Sequence, residues 1–357
     1  MRVFLNLSLL SVPLFAAEAQ QRPAVPEHIK AYCIDFNWGE GGVNGFARPG
    51  LWADADPAQH VAWYKAIGAN VIQTFCNSCN GYAWYKGGPT PGQPGLEHDF
   101  LTEVVRLGHK EGMLVLGYFC AGSNPKWGQE NPQLSYGYPS LPHIPYTDEY
   151  LAYFTNEIRH AVLKTGVDGF MIDWLWMPDR SATGNTWRDC EKRLYTQLMG
   201  KPFPEGAIPP EKELEYGRRA LLRAWQAIRR AAKEANPDCI IMLSVSHLDN
   251  PTIADSPILQ EADWVLNEAG DLQRTEKGKR MIGPKTRLIT CLAAWNNQDP
   301  LEIVPDAVKA GVGLYGFCKP PSPVSSLIPL DFLDTPVEQL KGDQRNIAVL
   351  ARAYRGR

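Results

Sequence analysis

The sequence is poor in histidine, with 7 in 357 residues, scattered at His28, His60, His98, His109, His143, His160 and His247. A metal-dependent hydrolase would cluster histidines, with a His-x-His near its first strand, and the first strand-like run ends instead in Asp35-Phe36-Asn37. Charge of one sign is also missing: Lys+Arg 36 against Asp+Glu 39 leaves a net charge of −3, so no strong field attracts nucleic acid or an anionic membrane. Cys76-Asn77-Ser78-Cys79 lacks the second pair or the histidines of a zinc site, which leaves a local disulfide or two free thiols. Cys33, Cys239, Cys291 and Cys318 lie in or beside apolar runs and read as small core residues. No glycine-rich phosphate cradle follows the late strands. The only strand-end lysine is Lys319, which disfavours a Schiff-base enzyme. Neither a metal nor another cofactor is expected.

Long apolar runs are confined to the N-terminus. Met1-Arg2, the apolar stretch 3–15 and Ala17-Glu18-Ala19 form the basic, apolar and small-x-small pattern of a cleavable signal peptide. The apolar stretch is interrupted by Asn6 and Pro13 and falls short of the roughly 20 residues that span a bilayer. The expected organisation is a signal peptide over 1–19, an extension over 20–29 and one domain over 30–357. The mature protein is expected to be secreted or periplasmic, without stable membrane insertion.

What the chain does have is ordinary core-forming composition, 44% hydrophobic and 21% charged, enough to bury a large domain. Short apolar runs at 31–36, 70–75, 113–119, 169–174, 239–245, 264–267, 287–292 and 312–317 alternate with amphipathic stretches. Those stretches predict helices over 57–67, 99–110, 148–164, 211–234, 253–260, 271–281, 301–309 and 337–354. This alternation, unbroken by a linker, predicts an α/β fold, a single (β/α)8 TIM barrel.

The connections are unequal. Those entering strands are terse (68–70, 111–112, 165–168, 236–238, 283–285, 310–311), whereas those leaving them are long (37–56, 77–98, 120–147, 175–188, 319–331). Long loops belong to the C-terminal rim, where barrel enzymes build their sites. They carry Trp38, Trp52, Tyr82, Trp84, Tyr85, Trp127, Tyr136, Tyr138, Trp176 and Trp187, rings that either stack on sugars or pack the loops down.

The fourth run, Gly169-Phe170-Met171-Ile172-Asp173-Trp174, ends in a carboxylate, and the sixth ends in Asn267-Glu268. Asp173 could instead cap its loop or pair with Arg180, and Glu268 could serve the next helix. An acid at a barrel mouth nevertheless carries a solvation cost that function explains. Two such acids separated by one strand suit hydrolysis of a glycosidic bond, one attacking or activating water and the other protonating the leaving oxygen. Asp35 is a third rim acid. Asn37, Asn77, Ser246, His247, Asn267 and Asn296 add neutral partners, and Trp38, Trp84, Trp174, Trp176, Trp295 and Lys319 complete the expected substrate-binding set. An oligosaccharide or polysaccharide is the expected partner. A carbohydrate-binding barrel without catalysis, and a lyase or isomerase of acidic sugars using Lys319 and Arg180, are the alternatives.

Four strings carry a family resemblance: Phe36-Asn37-Trp38-Gly39, the run from His60 to Asn70, Val167-Asp168-Gly169-Phe170-Met171-Ile172-Asp173-Trp174, and Asn267-Glu268-Ala269-Gly270. They resemble the α-L-fucosidase-like glycoside hydrolases and related hypothetical glycosyl hydrolase barrels of exported bacterial proteins. The resemblance implies that Asp173 is the nucleophile of a retaining glycosidase and Glu268 its acid/base. The histidines that fucosidases usually carry after their first two strands are replaced here by Asn37 and by Cys76-Asn77. For such a pair, Glu268 is expected to hold its proton through desolvation by Trp264 or a rim aromatic, and Asp173 to stay ionised through hydrogen bonds.

Overall fold

The computed structural model describes residues 22–39, 45–137, 141–270, 272–292 and 299–356. Strands β1 (Lys30–Ile34), β2 (Val71–Asn77), β3 (Leu114–Cys120), β4 (Gly169–Asp173), β5 (Ile240–Val245), β6 (Trp264–Asn267), β7 (Arg287–Leu292) and β8 (Gly313–Cys318) close in sequence order into a parallel barrel. The seam is β8 on β1, with Cys33 opposite Phe317 and Ile34 opposite Cys318. Strands covered on both faces must be apolar nearly throughout, and β2, β3, β5 and β8 are buried at every position.

Around the barrel run helices α1 (Pro57–Ile67), α2 (Phe100–Lys110), α3 (Pro125–Glu130), α4 (Asp148–Thr165), α5 (Asp189–Met199), α6 (Pro210–Ala235), α7 (Pro257–Glu261), α8 (Leu272–Met281), α9 (Pro300–Lys309) and α10 (Gly342–Tyr354). Local chemistry sets their ends. Asp56 accepts hydrogen bonds from the backbone N–H groups of Ala58 and Gln59 at the start of α1, and Pro57 presets its first turn. Gly68, at φ 84°, closes the helix in a left-handed conformation that a side chain would resist. Two residues later, Asn70 accepts from Lys30 N and donates to His28 O, both at 2.8 Å, which fixes the entry of β2 beside that of β1.

The eight expected strands are all present, β6 and β7 at the expected bounds and the others with ends moved by at most two residues. Two helices in the rim loops were not anticipated. Asn124 caps α3 through Trp127 N, and in α5 the Glu191 carboxylate reaches back to Arg188 N. Helix α5 sits on a satellite core of Leu194, Tyr195 and Tyr216, flanked by Trp187 and Phe203. The single helix expected over 337–354 is broken into a 3-10 turn at Val337–Gln339 and α10. All eight cysteines are buried free thiols, so the Cys76–Cys79 disulfide considered above is not formed.

At the closed end of the barrel, Asp168 binds His109 Nε2 at 2.8 Å and Val115 N at 2.7 Å and forms an ion pair with Arg22 of the N-terminal extension. Arg287 donates to Pro26 O, so the extension is stitched across the floor. No helix among the described residues is long and apolar enough to cross a membrane.

Candidate active site

In a strand every second side chain faces the same way, and in a barrel that face is the lumen. The alternation brings Met171 and Asp173 from β4, Leu266 and Glu268 from β6, and Tyr315, Phe317 and Lys319 from β8 into one cavity of about 590 Å³ at the C-terminal mouth. Asp35 from the end of β1, Tyr118 from β3 and the indoles of Trp38, Trp174 and Trp176 complete its wall, with Gln73 at its floor. Gln73 is buried and accepts a hydrogen bond from Tyr315 Oη, so its amide is oriented from below.

Asp173 is half-buried. Its Oδ2 accepts from Tyr118 Oη at 2.6 Å and its Oδ1 from Trp174 N at 2.8 Å. Those donors are the expected ones for an ionised group, yet the balance goes the other way. Enclosure by the barrel, and then the negative charge of Glu268, push the Asp173 carboxyl up to about 8 against the pull of both hydrogen bonds. The expectation of an ordinary ionised aspartate is therefore corrected: the lone barrel is a poor solvent for two like charges facing one cavity. Glu268 is met by the hydroxyls of Ser244, at 2.5 Å, and Ser246, at 2.8 Å.

Asp35 is 6% exposed and accepts from Asn37 N at 2.6 Å. Burial pushes its carboxyl up to about 7, opposed by that N–H and by the Lys319 ammonium. Three acids and one lysine thus face the cavity. Among the described residues no group of three or more His, Cys, Asp or Glu is arranged to hold a metal ion.

Trp174, immediately after Asp173, has φ 55°, a left-handed conformation that is costly for so large a residue. Its carbonyl oxygen accepts from Tyr146 Oη at 3.0 Å and from Trp176 N at 2.8 Å, which hold the turn in place. The turn breaks the strand's alternation and keeps Asp173 and Trp174 both at the mouth. Beneath it lies Gly122, where a Cβ would meet the Trp174 carbonyl oxygen at 2.2 Å. His143 packs edge-on against the Trp176 ring, centroids 4.3 Å apart, and burial lowers its imidazole to about 4.

Several expected binding residues are placed elsewhere. Trp84 is fully buried, stacked on Phe36 with centroids 4.3 Å apart and bonded to Ser78 Oγ, so its ring offers no face to a sugar. Asn37 spends its carbonyl on Cys79 N, tying the first loop to the second. In β2 the register slips between Phe75 and Asn77, and Asn77 donates to Glu157 on α4, outside the lumen. Asn267 is buried on the strand position opposite in parity to Glu268 and does not line the mouth cavity. Trp52, Tyr85, Trp127 and Tyr136 are likewise buried. Arg180 is engaged by Glu191 and Glu213 and stacks on Trp187 at 3.7 Å, so it is neither a partner of Asp173 nor a mouth cation. His247 lines a neighbouring cavity that also opens on Asp173 and Glu268. Trp295, Asn296, Asp271 and Tyr138 lie outside the described residues, as does the 1–19 segment. Tyr118, Gln73, Tyr315 and Ser244 were not picked out from the sequence. A hydroxyl or amide in an otherwise apolar strand was the available signal.

Comparison with known proteins falls on this same region. Residues 56–174, from the cap of α1 through β4 and Trp174, match the family model described as hypothetical glycosyl hydrolase 6. Among solved structures the chain is similar to the alpha-L-fucosidase isoenzyme 2 from Paenibacillus thiaminolyticus, at 15% identity and a TM-score of 0.66, over 92% of this chain and 49% of that one. It is also similar to the alpha-amylase from Geobacillus thermoleovorans solved with acarbose, at 14% identity and a TM-score of 0.52, over 92% of this chain and 78% of that one. At these identities the structural likeness concerns the fold, and the chain spans about half the length of that fucosidase. No curated protein matches the chain in sequence. The family model covers about a third of the chain and agrees with the resemblance read from the sequence.

Proposed function

We propose that the protein is an exported, retaining glycoside hydrolase in which Asp173 is the nucleophile and Glu268 the general acid/base. The observation that carries this reading is that the two carboxyl groups open on one cavity, with Tyr118 Oη and Trp174 N–H both donating to Asp173. In the first step an Asp173 oxygen bonds to the anomeric carbon while the glycosidic bond breaks and the leaving oxygen takes the Glu268 proton. In the second, water gives its proton to Glu268 and its oxygen displaces Asp173 from that carbon. Tyr118 Oη and Trp174 N–H stabilise the departing carboxylate. Lys319 beside Asp35 suits a sugar hydroxyl network, with Trp38 and Trp176 as apolar faces for the ring.

Hydrolysis of a panel of aryl glycosides, beginning with the α-L-fucoside and the α-galactoside, tests this. Release by wild type and not by Asp173→Asn supports the assignment, while equal release by both refutes it. The raised Asp173 and the two hydroxyls on Glu268 favour one second reading, in which the roles are exchanged. Azide separates the two: it restores turnover to the variant lacking the nucleophile and yields a glycosyl azide of inverted configuration. Export is tested by the mass of the secreted protein, expected to begin at Gln20.

A further inference from the structure

A second cavity of about 340 Å³ lies beside the mouth, and it shares Asp173, Trp176, Ser246 and Glu268 with the first. The carboxylate pair therefore stands at the junction of two spaces of different character. The larger space ends blindly on Gln73, Met171 and Tyr315 inside the barrel. The smaller runs along the loops after β4 and β5 to Asp179, His247 and Asn250, which are exposed, and to half-buried Thr252. A bond cut at the junction has one sugar in the space inside the barrel and needs room on the other side for whatever leaves.

The wall of the smaller cavity is suited to a sugar. Trp176 is 40% exposed, an unusual state for a large ring in this protein, and its backbone N–H is fixed on the Trp174 carbonyl at 2.8 Å. Its ring is a ready platform for the apolar face of a saccharide. Asn250 is fixed too, because its Oδ1 accepts from Thr252 N at 2.9 Å and Thr252 Oγ1 at 2.7 Å. His247 adds a further polar edge. The charged side chains on this wall are Asp173, Asp179 and Glu268, and neither lysine nor arginine lines it among the described residues. Such a surface repels carboxylated or sulfated sugars.

Resting on the glycoside hydrolase reading, we propose that this cavity is the leaving-group subsite and that it takes a neutral saccharide. The substrate is then an oligosaccharide cut at the sugar held in the barrel, with the released chain lying along Trp176 and the β4 and β5 loops.

The test compares disaccharides with 4-nitrophenyl glycosides of the same glycone, using wild type, Asn250→Ala, Thr252→Val, Asp179→Asn and Asp173→Asn. The readout is the ratio of kcat/KM on disaccharide to that on aryl glycoside. Because aryl groups cannot use polar contacts made for a sugar, the ratio is expected to fall about tenfold in Asn250→Ala or Thr252→Val. A disaccharide with a uronic acid as leaving group is expected to be cut about tenfold more slowly than the neutral one, a gap that Asp179→Asn narrows. Ratios within about twofold of wild type in both Asn250→Ala and Thr252→Val, or equal cleavage of neutral and uronic substrates, overturn the subsite. The aryl glycoside rate on the same preparations reports whether Asn250→Ala, Thr252→Val and Asp179→Asn are folded. Failure of the underlying reading looks different: Asp173→Asn then keeps the wild-type rate on every substrate. A panel left untouched by wild type counts against both.

Discussion

Asp35→Asn isolates the cost of placing a third acid in the mouth. The side chain is 6% exposed, and its Oδ1 already accepts from Asn37 N, a bond that the asparagine oxygen keeps. What the substitution removes is a carboxyl pushed by burial from an ordinary 3.8 up to about 7. A rise of about three pH units, at about 1.4 kcal/mol each, makes ionising Asp35 in the fold cost up to about 4 kcal/mol. The folded protein holds this proton more tightly than the unfolded chain. Its stabilising effect is therefore complete below the ordinary value and lost as pH rises through about 7. Urea unfolding near pH 5 should show Asp35→Asn within about 1 kcal/mol of wild type, since only the first third or so of the loss has developed about one unit above the ordinary value. Near pH 8.5 the variant should be the more stable by about 2 kcal/mol, about half the ceiling, because water in the cavity and Lys319 screen part of the cost. Asp35 also helps to raise Asp173, so the acid limb of kcat/KM in the variant should move to lower pH. A variant less stable than wild type by the same amount at both pH values would refute the reasoning. It would show that the carboxylate is held by contacts rather than merely tolerated.

Tyr118→Phe removes the 2.6 Å donor to Asp173, which raises the Asp173 carboxyl further; the acid limb of the pH–rate profile should shift upward and kcat/KM should fall by about tenfold. Gly122→Ala forces a methyl against the Trp174 carbonyl, so the turn that orients Asp173 must shift. Loss of most activity with an apparent destabilisation of about 2 kcal/mol by thermal unfolding is expected. Arg180→Leu leaves Glu191, buried and bonded to it at 3.1 Å, without its cation. This should cost about 3 kcal/mol in urea unfolding, far more than a surface pair.

The strands and the acids at their ends were legible because both depend on short-range pattern. Val167 to Trp174 reads as an apolar strand closed by an acid whatever the rest of the chain does, and β6 ends at Asn267 as read. Asn77 shows where that pattern stops being enough. Counted by twos from Gln73 it belongs to the lumen, but the slip after Phe75 turns it to Glu157 on α4. Asn267 could have been set aside from the sequence, since it and Glu268 are adjacent and an unbroken strand sends neighbours to opposite faces. The same rule would have misplaced Trp174, which stays at the mouth only because of its left-handed turn. Trp84 and Trp176 are both rim tryptophans in composition. One is stacked beneath Phe36 and the other stands open at the junction of two cavities, a difference set by which loop residues reach them across the rim. The proton balance at Asp173 was hidden for a related reason: its Trp174 N–H donor could be anticipated from a strand end, but Tyr118 Oη and the opposing effect of Glu268 reach it only once β3, β4 and β6 are held around a common lumen. Chemistry that resides in one strand can be read from the strand, whereas chemistry that arises between strands has to wait for the barrel to close.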